Sequence, residues 1–127
     1  MFGDGRKQMF YVIMDLEWNN SYNKYKKCFV NEILEIGAVM VDEELEVIDT
    51  FSVIIRSQLI KKLSGRVKSL THISNEAMSS GVTFQRAVSD FSKWVGSRNC
   101  VFMSWGNSDI RVLVDNFSMF CGINGIP

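Results

Sequence analysis

The feature that most constrains the fold is an apolar run that ends in two acids. Residues 9–16 are apolar or aromatic up to Met14, and Asp15 and Glu17 follow while the pattern still favours a β-strand. The run predicts a central strand buried on both faces. Because side chains alternate along a strand, the two acids project from one face and Leu16 from the other. Two such close carboxylates either point into water at a strand end or share a cation.

Two further strands are predicted directly after the first. Residues 32–41 and 46–55 are rich in β-branched and apolar side chains, and the acidic stretch 42–45 forms the turn between them. Short connections favour an antiparallel meander. Residues 19–31 are expected to be a polar loop, whose lysines and tyrosines between Tyr22 and Lys27 either contact nucleic acid or are simply solvated.

The second half of the chain predicts two amphipathic helices. Apolar residues recur with helical spacing from Phe84 onward, and Gly96 is well placed to end that helix. Residues 100–105 predict a short buried strand, and 108–121 predict a second amphipathic helix; the stretch after residue 56 is only weakly helical. The resulting order, β-β-β-α-β-α, predicts an α/β fold with a mixed sheet.

Composition and charge limit the possible functions. A chain of 127 residues predicts one domain, residues 1–127. Its 14 basic and 14 acidic residues balance, so any polyanion must be held by a local patch or by bound cations. Three scattered cysteines without a signal peptide predict reduced thiols and a cytoplasmic location. The sequence predicts no membrane partner, because the longest apolar stretch is far short of the roughly 20 residues that span a bilayer.

A third acid, Asp109, stands in the first turn of the last predicted helix. The helix dipole alone is enough to favour an acid there. However, if the strand at 100–105 lies beside the first strand and parallel to it, Asp109 emerges at the same sheet end as Asp15 and Glu17. Three carboxylates at one point form a hard-cation site suited to Mg²⁺ or Mn²⁺. Glu35 either lies near this site or points to solvent.

Four segments together resemble the DEDD (DnaQ-like) family of 3′-5′ exonucleases, in its Eri-type and KapD-type branch. They are DLEW at 15–18, EILEIGAVMV at 32–41, SLTHIS at 69–74 and SWGNSDIRVL at 104–113. The resemblance implies a ribonuclease H-like fold and hydrolysis of phosphodiester bonds in RNA or single-stranded DNA. It also implies a partner with a free 3′ end, with RNA favoured.

The resemblance assigns roles to individual residues. Asp15, Glu17 and Asp109 match the catalytic acids that bind two divalent ions, Mg²⁺ or Mn²⁺, of which one activates a water. The residues implied to contact the substrate are Leu16, Trp18, Leu70, Thr71, His72 and Ile73. For Trp18, stacking on a base and packing on the neighbouring loop are both open.

The family's third motif, a His or Tyr followed a few residues later by a fourth acid, has no match in the sequence. His72 lacks that context and is expected at the pocket rim rather than as a general base. The domain is therefore expected to be incomplete before its last strand and helix, and impaired or inactive. The strand at 100–105 would then be an open edge that promotes self-association. The alternative is a catalytically silent ribonuclease H-like module that binds nucleic acid or a protein partner.

Overall fold

The computed structural model describes residues 7–122, which form four strands and four helices. The strands are β1 (Met9–Asn23), β2 (Cys28–Val41), β3 (Val47–Ile54) and β4 (Asn99–Met103). The helices are α1 (Gly65–Thr71), α2 (Asn75–Ser79), α3 (Phe84–Val95) and α4 (Ser108–Cys121). The predicted α/β class is confirmed, and α1 and α2 add two short helices to the predicted order.

The strands form one mixed sheet in the order β3-β2-β1-β4. β2 is antiparallel to both β1 and β3, whereas β4 runs parallel to β1, from Met9 opposite Asn99 to Ile13 opposite Met103. The prediction for Asp109 depended on this parallel pairing of β4 with β1. In the part of the chain that the structure describes, β4 forms one edge of the sheet.

The segment predicted as a polar loop, residues 19–31, is mostly strand. β1 continues to Asn23 and β2 begins at Cys28, so the two strands form a hairpin that extends beyond the acids. Two exposed side-chain pairs connect its strands, the hydrogen-bonded Asn20–Asn31 and the edge-to-face rings of Tyr22 and Phe29. The prediction was wrong because this hairpin is stabilised by cross-strand pairing, which leaves little apolar pattern in the sequence.

The main apolar core lies between one face of the sheet and the helices α3 and α4. It contains Val12, Met14, Leu16, Ile36, Met40, Phe84, Ala87 and Val112. On the other face of β1, Ile13 is 42% exposed, so the prediction of a strand buried on both faces is wrong. The apolar run alone could not show this, because both long helices pack on the same side of the sheet.

The long helix α3 begins and ends as its sequence predicts. The Thr83 hydroxyl accepts a hydrogen bond from the backbone N–H of Arg86, and Gly96 follows the last turn with a φ of 65°. Such a positive φ strains any residue that carries a Cβ, which explains the glycine.

Among the described residues, no helix combines the length and apolar character that crossing a membrane requires.

A buried carboxylate organises the segment that follows β3. Glu32 is 2% exposed, and it accepts hydrogen bonds from the hydroxyl of Ser57 and the backbone N–H of Gln58. The Ser57 hydroxyl oxygen in turn accepts from the backbone N–H groups of Leu59 and Ile60. The chain between β3 and α1 is therefore held in a defined path by one acid of β2.

Stability should depend on pH through Glu32. Burial raises the pKa of its carboxyl above the ordinary value, although its hydrogen-bond donors act in the opposite direction. The folded state therefore binds the proton more tightly than the unfolded chain. Its stabilising contribution is complete below the ordinary glutamate pKa and is lost as pH rises through the raised pKa. We expect Glu32→Gln to remove this slope, which is at most about 1.4 kcal/mol per pH unit.

The measurement is the free energy of unfolding in urea at a series of pH values from acid to neutral. Glu43→Gln, in the exposed turn between β2 and β3, is the matched control and should keep the wild-type slope. An unchanged slope in Glu32→Gln would show that this carboxyl does not control the pH dependence.

Candidate active site

Asp15 and Glu17 lie on the exposed face of β1, and each is paired with a residue of the neighbouring strand β2. Asp15 pairs with Gly37, and Glu17 pairs with Glu35. A Cβ added at Gly37 would lie 3.6 Å from the carbonyl oxygen of Asp15, so the glycine leaves space beside this acid without being required there. The register therefore places Glu35 directly across from Glu17, near the predicted site rather than away from it.

Asp109 reaches the same place from the first turn of α4. Its Oδ2 accepts a hydrogen bond of 3.1 Å from the backbone N–H of Leu16, the residue between the two acids of β1. The parallel ladder between β1 and β4 ends just before this point, at Ile13 and Met103. The chain leaving β4 thus enters α4 beside β1, and Asp109 takes up a backbone donor that β4 no longer pairs.

The acids influence one another electrostatically. The pKa of Glu17 is raised above its ordinary value, mainly by partial burial and then by the negative charges of Asp15, Glu35 and Asp109; His72 acts in the opposite direction. All these side chains therefore lie within electrostatic range of Glu17. Four acids and the single histidine of the chain share one neighbourhood.

The chemistry of this donor set suits a hard divalent cation. Carboxylate oxygens are the ligands that Mg²⁺ and Mn²⁺ prefer. However, no three Asp, Glu, His or Cys side chains between residues 7 and 122 are grouped in a way that could hold an ion. The site thus has suitable ligands, but its carboxylates would have to move together to bind a metal.

A β-bulge lies opposite the acids. Glu17 pairs with Glu35 but Trp18 pairs with Ile33, so Leu34 is an extra residue in β2. Leu34 is fully buried in a second, smaller apolar cluster. The other buried members of that cluster are Leu63, Ile73 and Met78. Leu34 therefore packs β2, the strand opposite the acids, against the segment that carries α1 and α2. Bulges are over-represented next to active sites.

Asn116 fixes the bulge from α4. Its side chain is fully buried, and its Oδ1 accepts a 2.9 Å hydrogen bond from the backbone N–H of Ile33. Its Nδ2 donates to the carbonyl oxygens of Asn31 and Val112, each at 2.8 Å. The sequence pattern did not lead us to this residue. The available signal was a polar side chain three residues after Leu113, on the apolar face of an amphipathic helix.

The residues predicted to contact a substrate separate into two groups. Leu16, Trp18, Leu70 and Thr71 line one cavity of about 230 Å³ beside Glu17. The other two lie outside its lining. His72 ends α1 with a φ of 61° and is exposed, whereas Ile73 is 3% exposed in the second cluster. Ile73 therefore packs against Leu34, Leu63 and Met78 in that cluster, and its contact with a substrate remains a prediction.

A protein-family model described as Exonuclease (RNase_T) matches residues 12–124. The chain belongs to this exonuclease family. It is 32% identical over 117 residues to the probable 3′-5′ exonuclease KapD of Bacillus subtilis (strain 168), and the match covers 91% of this chain and 55% of the relative. The predicted resemblance to the family is confirmed.

Solved nucleases have the same fold. The nuclease domain of 3′hExo, described as a DEDDh family member bound to rAMP, has a TM-score of 0.76 and 24% identity, and the match covers 87% of this chain and 58% of that one. A 3′-exonuclease solved in a study of histone mRNA stem-loop recognition has a TM-score of 0.78, 21% identity, and coverages of 90% and 54%. The predicted ribonuclease H-like fold is confirmed, and this exonuclease domain spans about half the length of these relatives.

The buried amide of Asn116 should be more important for stability than an exposed one. We expect Asn116→Ala to lower the free energy of unfolding by about 2–4 kcal/mol, because the backbone groups of Ile33 and Asn31 would be left without their buried partner. Asn20→Ala, which breaks an exposed hydrogen bond on the same hairpin, should cost about 0.5–1 kcal/mol. Urea denaturation of both variants measures the difference. Equal destabilisation by the two substitutions would contradict the role of Asn116.

Proposed function

We propose that this domain removes nucleotides from the 3′ end of RNA or single-stranded DNA with the help of Mg²⁺ or Mn²⁺. The observation that carries the proposal is the hydrogen bond from the Leu16 backbone N–H to Asp109, which holds a third carboxylate beside Asp15 and Glu17. Similarity to a probable 3′-5′ exonuclease supports the reaction. RNA is the favoured substrate, and the fold neighbour bound to rAMP supports that preference.

The proposed mechanism divides the work between the acids and the neighbouring cavity. Asp15, Glu17 and Asp109 would hold divalent ions, two of them in a site completed by the family's fourth acid. Bound ions would neutralise the charge that develops on the scissile phosphate and activate a water for attack. The backbone of β1 orients Asp109, and Trp18 and Leu70 offer apolar surfaces on which the terminal base or sugar could pack.

The metal-binding role of the acids can be tested directly. We expect Asp15→Asn and Asp109→Asn each to abolish Mn²⁺ binding in calorimetry, because each removes a carboxylate from the cluster. Asp115→Asn, an exposed acid on the same helix as Asp109, is the matched control and should bind Mn²⁺ like the wild type. Unchanged Mn²⁺ affinity in either site variant would overturn the assignment.

A catalytically silent module is the second candidate function. It is favoured by the geometry of the acids, because no three Asp, Glu, His or Cys side chains between residues 7 and 122 are grouped closely enough to hold an ion. We propose that turnover by this 127-residue form is impaired or abolished. Metal-dependent release of mononucleotides from a 5′-labelled strand separates the two functions, since a silent module would bind the strand without shortening it.

We also propose that the domain acts in the cytoplasm. Cys28, Cys100 and Cys121 all carry free thiols, as expected in a reducing compartment.

Self-association through β4 is a further proposal. Val101, Phe102 and Met103 are 41%, 47% and 48% exposed, so this edge strand presents apolar side chains on both faces as well as backbone groups that can pair. We expect the mass measured by light scattering to rise with concentration and Val101→Lys to restore a monomer. Val47→Lys, on the opposite edge strand, is the control and should leave association unchanged. A monomeric wild type at high concentration would contradict the proposal.

A further inference from the structure

The acids of β1 lie between two cavities that have no lining residue in common. Glu17 and Trp18 border the cavity of about 230 Å³, and Ile13 and Asp15 border another of about 440 Å³. Because residues follow one another in a single direction along a strand, the two cavities lie on opposite sides of the acids. We call the second one the sheet-face cavity.

The sheet-face cavity lies on the exposed face of the sheet. Ile13 pairs with Val39, and Val39 pairs with Thr50, so these lining residues of three strands share one face. Gly37 has no side chain, so the floor of the cavity beside Asp15 is open. The cavity therefore has room for a ligand directly next to an acid.

Trp105 borders this cavity with its ring open to water. It lines the cavity and is nevertheless 89% exposed. β4 ends opposite Ile13 and Trp105 follows two residues later, so it stands near the level of Asp15. The Ser104 hydroxyl donates a 3.2 Å hydrogen bond to the carbonyl oxygen of Gly106, which closes the turn around it. An aromatic face is thus available beside the acids.

The charges around the sheet-face cavity favour an uncharged planar group over a phosphate. Among the described residues that line it, Asp15 alone is charged. A phosphate in the cavity would therefore meet a like charge and no cation of the lining. A base carries no charge, and its faces stack on aromatic side chains.

The proposed function determines which nucleotide reaches this cavity. It places the scissile phosphate at the acids and the terminal nucleotide against Trp18 and Leu70, on the side of Glu17. The scissile phosphate links the terminal nucleotide to the penultimate one. The penultimate nucleotide must therefore leave the acids on the other side, where Asp15 borders the sheet-face cavity.

We propose that the sheet-face cavity binds the penultimate nucleotide of a single-stranded 3′ end and that Trp105 stacks on its base. The inference rests on the proposed function, because it takes the position of the scissile phosphate from it. Base identity has no influence on this contact, since every base presents a face on which an indole can stack.

Stacking on Trp105 places a requirement on the substrate. A base that lies on the indole cannot remain paired in a duplex, and the terminal base lies in a different cavity on the far side of the acids. The substrate class is therefore a nucleic acid whose last two nucleotides at the 3′ end are both unpaired.

The test measures the binding of a labelled single-stranded RNA octanucleotide by fluorescence anisotropy in the presence of Mn²⁺. Its 3′-terminal linkage is a phosphorothioate, which resists hydrolysis. Trp105→Ala, Trp105→Leu and Trp105→Phe are compared with the wild type. Leu45→Ala is the control, because Leu45 is an apolar residue that is 74% exposed between β2 and β3 and does not line the cavity.

We expect Trp105→Ala and Trp105→Leu to weaken binding about 5- to 150-fold, the range for the loss of one base–aromatic stack. Trp105→Phe keeps an aromatic face and should lose less affinity. The salt dependence of binding should be that of the wild type in every variant, because no phosphate contact is removed. Leu45→Ala should bind like the wild type.

Removing single bases from the octanucleotide locates the stack. An abasic penultimate nucleotide should weaken binding to the wild type and leave binding to Trp105→Ala unchanged. An abasic terminal nucleotide should weaken binding to both proteins, because its base lies against Trp18 instead.

RNA hairpins with short 3′ overhangs test the requirement for unpaired nucleotides. The wild type should bind a hairpin with a two-nucleotide overhang more tightly than one with a single-nucleotide overhang. Trp105→Ala should not distinguish the two hairpins.

If Trp105→Ala binds the octanucleotide as tightly as the wild type, the inference alone is overturned. It is also overturned if Trp105→Leu retains as much affinity as Trp105→Phe, because an apolar surface rather than stacking would then explain binding. If the wild type binds no octanucleotide, the proposed function falls together with the inference.

Discussion

The parallel pairing of β4 with β1 is the interaction on which the site depends. The segments that follow two parallel strands leave the sheet at the same end, the carboxyl end of the strands. Ligands of α/β proteins bind at that end. Here the ladder ends at Ile13, and the next donor of β1 on that side, the N–H of Leu16, is taken by Asp109. One short strand of five residues thus brings together acids that are about ninety residues apart in the sequence.

Bringing these acids together has an energetic cost that the surrounding structure must offset. The raised pKa of Glu17 reports that cost, because partial burial and neighbouring carboxylates both disfavour its ionised form. The offsetting interactions lie around the bulge in β2. Asn116 satisfies the groups around the bulge, and Leu34 enters a second core that also contains Ile73. A rigid support of this kind holds like charges at positions that they would not adopt in an unstructured chain.

Part of the fold could be predicted because several of its elements have a clear apolar pattern in the sequence. The helix at α3 and the strand at β3 were predicted almost to their ends, and the face of β1 that carries Val12 and Leu16 is buried as alternation requires. The hairpin beyond Trp18 could not be predicted in this way, since its strands are joined by side-chain pairs such as Tyr22 and Phe29 rather than by a buried face.

The sequence by itself determined the chemistry: which acids exist, that Asp15 and Glu17 share a face of a strand, and that Asp109 begins a helix. Only the tertiary structure decided where these groups meet, because strand order and direction depend on contacts between distant segments. It also decided that Glu35 faces Glu17, since a cross-strand register cannot be read from one strand. Likewise, the importance of Asn116 depends on the packing of α4 on the bulge. There the backbone N–H of Ile33 and the carbonyl of Asn31 need its buried amide as a hydrogen-bond partner.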